Sequence, residues 1–415
     1  MRARMLLTTL TSFVAATLAA TGAVPAQQAP ARDGDPVQIL VGRLDLERYR
    51  ATIRELSEFG DRRQGTQRNR DALDWIEAQL RSYGCANTER LTYVFPPERP
   101  RATTASRPPA RQAQGTSADG FKGAGPGGST IFGTGRRPTV NRDLMAQPDE
   151  RIRALNEEEP VDGERQDIYC TKIGTSRPDE MYIVAAHMDG HGVNQATNDN
   201  GSGTALVMEL ARVLSAPDVR IERSIRFILW NNEETGLNGS RAYVAQREAL
   251  QDIENPAGSG IYPEPRWLGM VQHDMMMFDH GAPRPDGTVS GDQRPEADVN
   301  IEFQSSSATV QESMELAFFF KAANAAYATD YPAAVGPHMT NTDSTPFMDI
   351  VPAISLRESE RGAQIGGGWD PHGHTPSDVF TTYSEDDFRL GLNAAQTTMA
   401  AIAQLAGASV SRPSN

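Results

Sequence analysis

The feature that most constrains the fold is an alternation of apolar and amphipathic segments between about residues 166 and 405. Short runs rich in β-branched and aromatic residues, typical of buried strands, alternate with longer segments whose apolar residues recur every three or four positions, as in helices. The clearest strands are predicted over 181–186, 225–230 and 351–356, and the clearest helix over 203–214. This alternation predicts an α/β fold with a mostly parallel mixed sheet and helices on both faces.

Histidine and acidic side chains follow the predicted strands. Each comes at once after a strand, or is reached from the strand through a short or glycine-rich loop. In chain order they are His187, Asp189, Glu233, Glu234, Asp274, His372 and His374. Because ligand sites in such folds form at the carboxyl ends of the strands, we expect these side chains to converge there.

The same side chains suit a pair of metal ions. Histidine and carboxylate without cysteine are typical ligands of zinc or a similar divalent ion. Glu233 and Glu234 are adjacent and repel each other, so their burial is unfavourable unless cations lie nearby. Paired metals lie roughly 3.5–4 Å apart and need a bridging group. Asp199, in a glycine-flanked turn twelve residues after His187, is well placed to bridge.

The order of these motifs resembles that of the M28 family of di-zinc peptidases, whose best-known members are aminopeptidases. The resemblance covers about residues 181–378 and is weaker over 56–84. Its strings are His187-Met-Asp189, Asp199-Asn-Gly-Ser-Gly203, Asn231-Asn-Glu-Glu-Thr-Gly236, Gln272-His-Asp274-Met, Thr342-Asp-Ser-Thr-Pro-Phe347 and His374-Thr-Pro-Ser-Asp378.

The resemblance implies a single catalytic domain of the zinc-exopeptidase type that binds two Zn²⁺ ions. Position by position, it implies the following roles: His187 and Asp274 hold one zinc, Glu234 and His374 hold the other, Asp199 bridges them, Glu233 is the general base, and Asp189 steadies His187. His372 remains an alternative to His374. The chain has Asp343-Ser344 where many relatives have Asp-His, so substrate positioning can differ here.

The implied activity is hydrolysis of peptide bonds, with release of N-terminal residues, and the implied partner is a peptide substrate. Carboxypeptidase, dipeptidase or other amidohydrolase activity on the same scaffold remains open. An M20-type enzyme fits less well, because its first histidine and bridging aspartate lie much further apart in sequence. A one-zinc glutaminyl cyclase-like protein and a non-catalytic module are weakened by the presence of every ligand and the base.

Composition excludes other classes. The chain has 415 residues and a net charge of −14, without a clustered basic stripe, so we expect no nucleic-acid partner. It has only three lysines, which leaves few candidates for Schiff-base chemistry. No G-x-S-x-G string supports a serine hydrolase.

The N-terminus predicts export. Arg2 and Arg4 precede an apolar stretch from Met5 to about Ala23 and a small-residue exit at 24–26, the pattern of a cleaved signal peptide. No later segment is long and apolar enough to span a membrane, so we expect a secreted or periplasmic protein. In an oxidising compartment the only two cysteines, Cys85 and Cys170, can pair, and we predict that they do; two buried thiols are the alternative.

The expected organisation has six parts. They are a signal peptide (1–26), a flexible lead (27–44), N-terminal helices and a first strand (45–95), an insertion rich in Pro, Gly and Arg (96–160), the di-zinc core (161–408) and a tail (409–415).

Overall fold

An eight-stranded mixed sheet forms the centre of the fold. The computed structural model describes residues 34–85, 87–95, 140–279, 299–337, 342–358, 370 and 372–411. The strands are β1 (Glu89–Phe95), β2 (Gly163–Lys172), β3 (Arg177–His187), β4 (Val219–Arg220), β5 (Arg223–Trp230), β6 (Arg266–His273), β7 (Val299–Phe303), β8 (Ala333–Pro337), β9 (Ala353–Arg357) and β10 (Ser409–Val410). β4 and β10 pair separately.

The sheet has the order β1-β2-β5-β3-β6-β9-β7-β8. Its centre is parallel: β3 pairs with β5 and β6, and β6 pairs with β9. β1, β2 and β7 enter antiparallel to their inner neighbours. The predicted mostly parallel mixed sheet is therefore confirmed, and the carboxyl ends of β3, β5, β6 and β9 share one edge.

Helices cover both faces of the sheet, as the alternation predicted. They are α1 (Pro36–Val41), α2 (Leu46–Ser57), α3 (Gln67–Ser82), α4 (Glu150–Leu155), α5 (Gly203–Leu214), α6 (Asn238–Arg247), α7 (Val310–Tyr327) and α8 (Glu385–Leu405). Because successive strand side chains point to opposite faces, Val184 of β3 joins the larger core beneath α5 and α8, and Ile183 joins a smaller core beneath α6. α5 is buried except at Arg212, which explains its nearly continuous apolar sequence.

The structure differs from the expected organisation in three places. Residues 36–41, expected in the flexible lead, form α1, because Asp35 caps the helix and Val37, Leu40 and Val41 are buried. The part of the expected insertion that is described, 140–160, contains the short helix α4. Ser409 and Val410, expected in the tail, pair with β4.

Other expectations concern residues outside the described part. The signal peptide and residues 96–139 of the insertion lie there. Among the described residues, no helix is both long and apolar enough to cross a membrane. Cys85 and Cys170 are joined by a disulfide, with Cα atoms 5.9 Å apart.

Candidate metal centre

The residues expected to bind metal converge at the carboxyl edge of the sheet. His187 is the last residue of β3, and Asp274 directly follows β6. Glu234 follows β5 in the turn before α6, and Asp199 lies in the segment Thr197–Ser202 before α5, where its own backbone is not helical (φ −105°, ψ 87°). His374 comes from the loop before α8, where its φ of 61° is left-handed.

Two donor sets form and share Asp199. One consists of His187, Asp199 and Asp274, and the other of Asp199, Glu234 and His374; within each set the donor atoms all lie within 4.8 Å of one another. Asp199 Oδ1 lies 3.4 Å from His187 Nε2, and Asp199 Oδ2 lies 3.1 Å from His374 Nε2. One carboxylate thus offers an oxygen to each set, as a bridging ligand must.

The donor chemistry of these sets fits zinc or a similar divalent ion. Each set combines one imidazole nitrogen with two carboxylates, and neither contains sulfur. Glu234 Oε2 lies 2.7 Å from His374 Nε2, while Glu234 Oε1 is buried without a hydrogen-bond partner. A buried carboxylate oxygen without a partner is costly in the protein alone, and a cation would satisfy it.

The electrostatics of the site favour positive charge. Burial by itself lowers the pKa of His187, but the negative charge of Glu233 and hydrogen bonds with Asp189, Asp199 and Asp274 outweigh burial and raise this pKa well above its usual value. For His374, burial is likewise outweighed by Glu234 and Asp199, which raise its pKa. The acidic cluster is therefore strong enough to hold cationic partners in a buried position.

Glu233 and Asp189 lie beside the first donor set. A carboxylate oxygen of Glu233 lies within 4.8 Å of donor atoms of His187 and Glu234. Asp189 reaches both neighbours: its carbonyl oxygen is 3.0 Å from His187 Nδ1, and its Oδ1 accepts from the Glu233 backbone N–H at 3.1 Å. With Nδ1 donating to that carbonyl, Nε2 is the His187 nitrogen that faces Asp199 and Asp274 and that would bind a metal ion.

His372, the alternative left open by the sequence, and His273, which directly precedes Asp274, both lie outside the donor sets. His372 Nδ1 is 2.8 Å from Ser377 Oγ, and its ring packs on Phe278. His273 is buried between Ala185 O and Thr398 Oγ1, at 2.9 and 2.8 Å. Burial lowers the pKa of His273 to about 4, which suits a neutral core imidazole. Between the two histidines left open, the geometry places His374 rather than His372 at the candidate centre.

Asp343 and Ser344, where the chain departs from the family string, are both buried. Asp343 accepts hydrogen bonds from Ser240 Oγ at 2.5 Å and Gln272 Nε2 at 3.3 Å. Burial is the main cause that raises the pKa of Asp343 to about 7. Asp343 is thus fixed behind the site, on the side of α6.

Three residues that support the centre had no role predicted from the sequence. Arg62 is fully buried and donates to the carbonyls of Met188, Gln195 and Ala196, at 2.8, 2.9 and 2.7 Å. It thereby fastens the loop between His187 and Asp199. Its position within the region of weaker family resemblance, residues 56–84, was the only signal in the sequence.

The other two are Asp378 and Arg357. Asp378 accepts from the backbone N–H groups of Asn198 and Asp199 at 2.8 and 3.1 Å. It closes the string that begins at His374 but had no assigned role. Arg357 ends β9 and donates to Asp274 Oδ2 at 2.6 Å. In the sequence, the signal for Arg357 was a charged residue at the end of an apolar strand.

A pocket of about 330 Å³ opens onto the donor sets. Besides the five donor residues and Glu233, its walls are formed by Gly236, Leu237, Arg241, Met275 and Arg357. The size suits a small ligand or one end of a larger one rather than a folded protein.

The fold and site together define an α/β protein with two joined metal-donor sets at the carboxyl edge of its sheet. The model of Peptidase family M28 matches residues 168–396, more than half of the chain. The chain belongs to this family.

Relatives agree with this assignment. The chain is 28% identical over 239 residues to the probable lipoprotein aminopeptidase LpqL of Mycobacterium tuberculosis, covering 56% of this chain and 43% of the relative. It is 48% identical over 67 residues to aminopeptidase YwaD of Bacillus subtilis, 16% of this chain and 14% of the relative. The chain thus spans less than half the length of each.

Solved structures show the same fold. The aminopeptidase from Aneurinibacillus sp. strain AM-1 superposes with a TM-score of 0.56 at 18% identity, covering 91% of this chain and 98% of that one. The zinc aminopeptidase BSAP of Bacillus subtilis superposes with a TM-score of 0.54 at 17% identity, over 90% and 97% of the two chains.

Proposed function

We propose that this protein is an exported metallopeptidase that hydrolyses peptide bonds with a two-zinc centre and releases N-terminal residues. The observation that carries the proposal is the pair of donor sets joined by Asp199, with Glu233 beside them in an open pocket. The relatives named as aminopeptidases support peptide substrates. The N-terminal signal pattern and the disulfide support export.

The roles proposed for the donors follow the two sets. His187 and Asp274 would hold one zinc, Glu234 and His374 the other, and Asp199 would bridge. When bound, a zinc pair supplies Lewis acidity and positive charge where the peptide carbonyl is attacked. The remaining chemistry belongs to Glu233.

Glu233 is the proposed general base. Its carboxylate lies beside both donor sets and lines the pocket, so it can accept a proton from the attacking water and return it to the leaving amine. Asp189 holds the Glu233 backbone and the His187 ring together, so it positions the base relative to the donors.

A second candidate, carboxypeptidase or dipeptidase activity, is favoured by an arginine that lines the pocket. Arg241 is exposed there, and its guanidinium could pair with a substrate carboxylate. Carboxypeptidase Q of Xenopus laevis is also among the relatives, at 28% identity over 83 residues.

A panel of aminoacyl anilides, each tested free and N-acetylated, distinguishes these activities, with zinc counted in the same preparation. We expect turnover only of substrates with a free α-amine, loss of activity on chelation and recovery with Zn²⁺. Equal turnover of both forms would point to an endopeptidase or amidase. Cleavage of only those peptides that have a free C-terminal carboxylate would favour the second candidate. Full activity after thorough removal of metal would refute the metal mechanism.

Two substitutions test whether the adjacent acids have different roles. Glu233→Gln should keep both zinc ions but lose about 10²–10⁴-fold in kcat, because an amide cannot accept the proton. Glu234→Gln should instead lose one zinc, because a neutral amide is a poor zinc ligand, and excess Zn²⁺ should partly restore its activity. Glu157→Gln is the matched control, since Glu157 is exposed.

The comparison is zinc content per chain and zinc titration of activity for all three variants. If Glu233→Gln is the variant that loses zinc, the two roles are reversed. If both variants behave like Glu157→Gln, Glu233 and Glu234 have neither a catalytic nor a metal-binding role.

A further inference from the structure

A second pocket lies beside the loop that carries His374. It has a volume of about 200 Å³, and among the described residues it shares no wall residue with the pocket at the metal donors. Two of its wall residues reach the His374 backbone. Asn141 donates from its backbone N–H to the His374 carbonyl at 3.0 Å, and a Cβ added to Gly192 would lie 2.6 Å from the His374 backbone carbon. The second pocket is therefore next to the metal centre but distinct from it.

A buried histidine in the wall of the second pocket has an unused ring nitrogen. His191 is 3% exposed, and its Nε2 has no hydrogen-bond partner among the described residues. Burial is the main cause that lowers the pKa of His191 to about 3, and the charges of Arg63 and Arg142 contribute. The ring is therefore neutral and can carry its proton on Nε2. Because an unpaired buried polar atom is unfavourable, a ligand that pairs with Nε2 is favoured.

The charges around the second pocket favour an anion. Two guanidinium groups, those of Arg63 and Arg142, line it together with two carboxylates. Of the carboxylates, Asp61 is buried and accepts from Arg68 Nη2 at 2.8 Å, so its charge is compensated. Glu159 lies 3.2 Å from Arg63 Nη1, but its side chain is 79% exposed. Because such exposed ion pairs are weak, an anion in the pocket can compete for Arg63, whereas a cation would be repelled by both guanidinium groups.

We propose that the second pocket is a binding site for a small oxyanion, a carboxylate or a phosphate, in addition to the proposed peptide hydrolysis. Arg63 and Arg142 bind its oxygens through charge-assisted hydrogen bonds, and His191 Nε2 donates a further one. The volume suits an anion of a few heavy atoms, such as a free amino acid or inorganic phosphate, rather than a peptide chain. The site needs no metal ion.

Calorimetric titration of the zinc-loaded full chain with acetate and with inorganic phosphate, at constant ionic strength, tests the site. Because oxyanions can also bind to zinc, the decisive measurement is the difference between the wild type and variants of the pocket. The wild type should show saturable binding. Arg63→Gln should weaken it about tenfold or more, because a hydrogen bond from a charged group is lost.

Two further variants change the other proposed contacts. Arg142→Gln, at an exposed position, should weaken binding about two- to fivefold, because exposed charges contribute less. His191→Phe keeps an aromatic ring but removes the Nε2 donor, and it should weaken binding about two- to tenfold. If Arg63→Gln does not fold, these two variants still decide the question.

Arg151→Gln is the matched control, because Arg151 is 71% exposed and does not line the pocket. It should bind both anions like the wild type. The three pocket variants should keep the zinc content of the wild type; loss of zinc in them would assign their effect to the metal centre and overturn the inference. Binding that none of them weakens would belong to the zinc ions and would overturn it too, as would the absence of saturable binding of either anion.

The two anions distinguish the sources of the oxyanion. Tighter binding of acetate would identify a carboxylate ligand, and tighter binding of phosphate a phosphate ligand. The same titration separates this inference from the proposed function. A wild-type chain that holds no zinc but binds an anion through Arg63 would refute the proposed function alone, since the anion contacts do not include the metal.

Discussion

Asp378 should be essential for the placement of the bridging ligand, although it touches no donor atom. It is fully buried, and its carboxylate accepts from the backbone N–H groups of Asn198 and Asp199 and from the Tyr383 hydroxyl, at 2.8, 3.1 and 2.9 Å. Asp378→Ala would leave both backbone groups without this acceptor. Tyr383 would keep its bond to Asp370 at 2.8 Å.

The expected loss of stability follows from the two backbone N–H groups that would lack an acceptor. An unsatisfied buried N–H costs about 1–3 kcal/mol, so Asp378→Ala should lower the free energy of unfolding by about 2–6 kcal/mol. Asp378→Asn keeps one carbonyl oxygen but turns an NH₂ toward a donor, so it should lie between the alanine variant and the wild type. Because Asp199 is held by this contact, both variants should also bind zinc more weakly.

The assays are denaturant unfolding of the metal-stripped chain and zinc titration of the refolded variants. Tyr383→Phe is the control, because it removes the hydroxyl that Asp378 and Asp370 share but leaves the Asn198 and Asp199 backbone contacts in place. It should cost about 0.5–1.5 kcal/mol and leave zinc affinity unchanged. If Asp378→Ala loses less than about 1 kcal/mol of unfolding free energy and binds zinc like the wild type, Asp378 does not place Asp199, since each N–H group left without an acceptor should alone cost that much.

Two other predictions concern stability and the His374 loop. Replacing Cys85 and Cys170 by alanine removes a cross-link between residues 85 positions apart, which should lower the free energy of unfolding by about 4–5 kcal/mol in denaturant titrations and leave kcat of the folded enzyme unchanged. Gly192→Ala should weaken zinc binding in calorimetric titration, because Gly192 has a φ of +114° and an added Cβ would lie 2.6 Å from the backbone carbon of His374. Wild-type zinc affinity in that variant would show that the loop carrying His374 can shift to accommodate the added Cβ without weakening metal binding.

Much of the fold was predictable because its determinants are local. The apolar runs within β3, β5 and β9 are short and contain β-branched residues, and their alternation with helices implies a parallel order. In a parallel sheet, the carboxyl ends of the strands lie at the same edge, so residues that follow different strands become neighbours. This is why His187 and Asp274, 87 residues apart in sequence (274 − 187), could be expected together at one edge.

Features that depend on long-range contacts were not predictable. α1 has six residues and three buried side chains, too little for a sequence signal, and its burial depends on the fold around it. The same holds for β10, whose two residues are a strand only because β4 lies beside them. Arg357 meets Asp274 across 83 positions through the pairing of β6 with β9, which no local pattern specifies.

The choice between His372 and His374 shows where the sheet stops determining the site. The sheet places His187 and Asp274 directly, but Asp199, Glu234 and His374 lie on connecting segments that have no strand partner. His374 faces the donor set with a left-handed φ, and its carbonyl accepts from the Asn141 backbone N–H at 3.0 Å.

The loop that carries His374 also carries Asp378, whose carboxylate holds the backbone of Asp199. Arg62, from the segment between α2 and α3, holds the carbonyls that precede Asp199. The connecting segments are therefore fixed to one another by buried polar contacts, and the second donor set depends on these contacts more than on the sheet. This dependence explains why strand patterns could place the donor side chains at one edge of the sheet, whereas dividing them into two ligand pairs and choosing His374 over His372 needed a family resemblance or the structure.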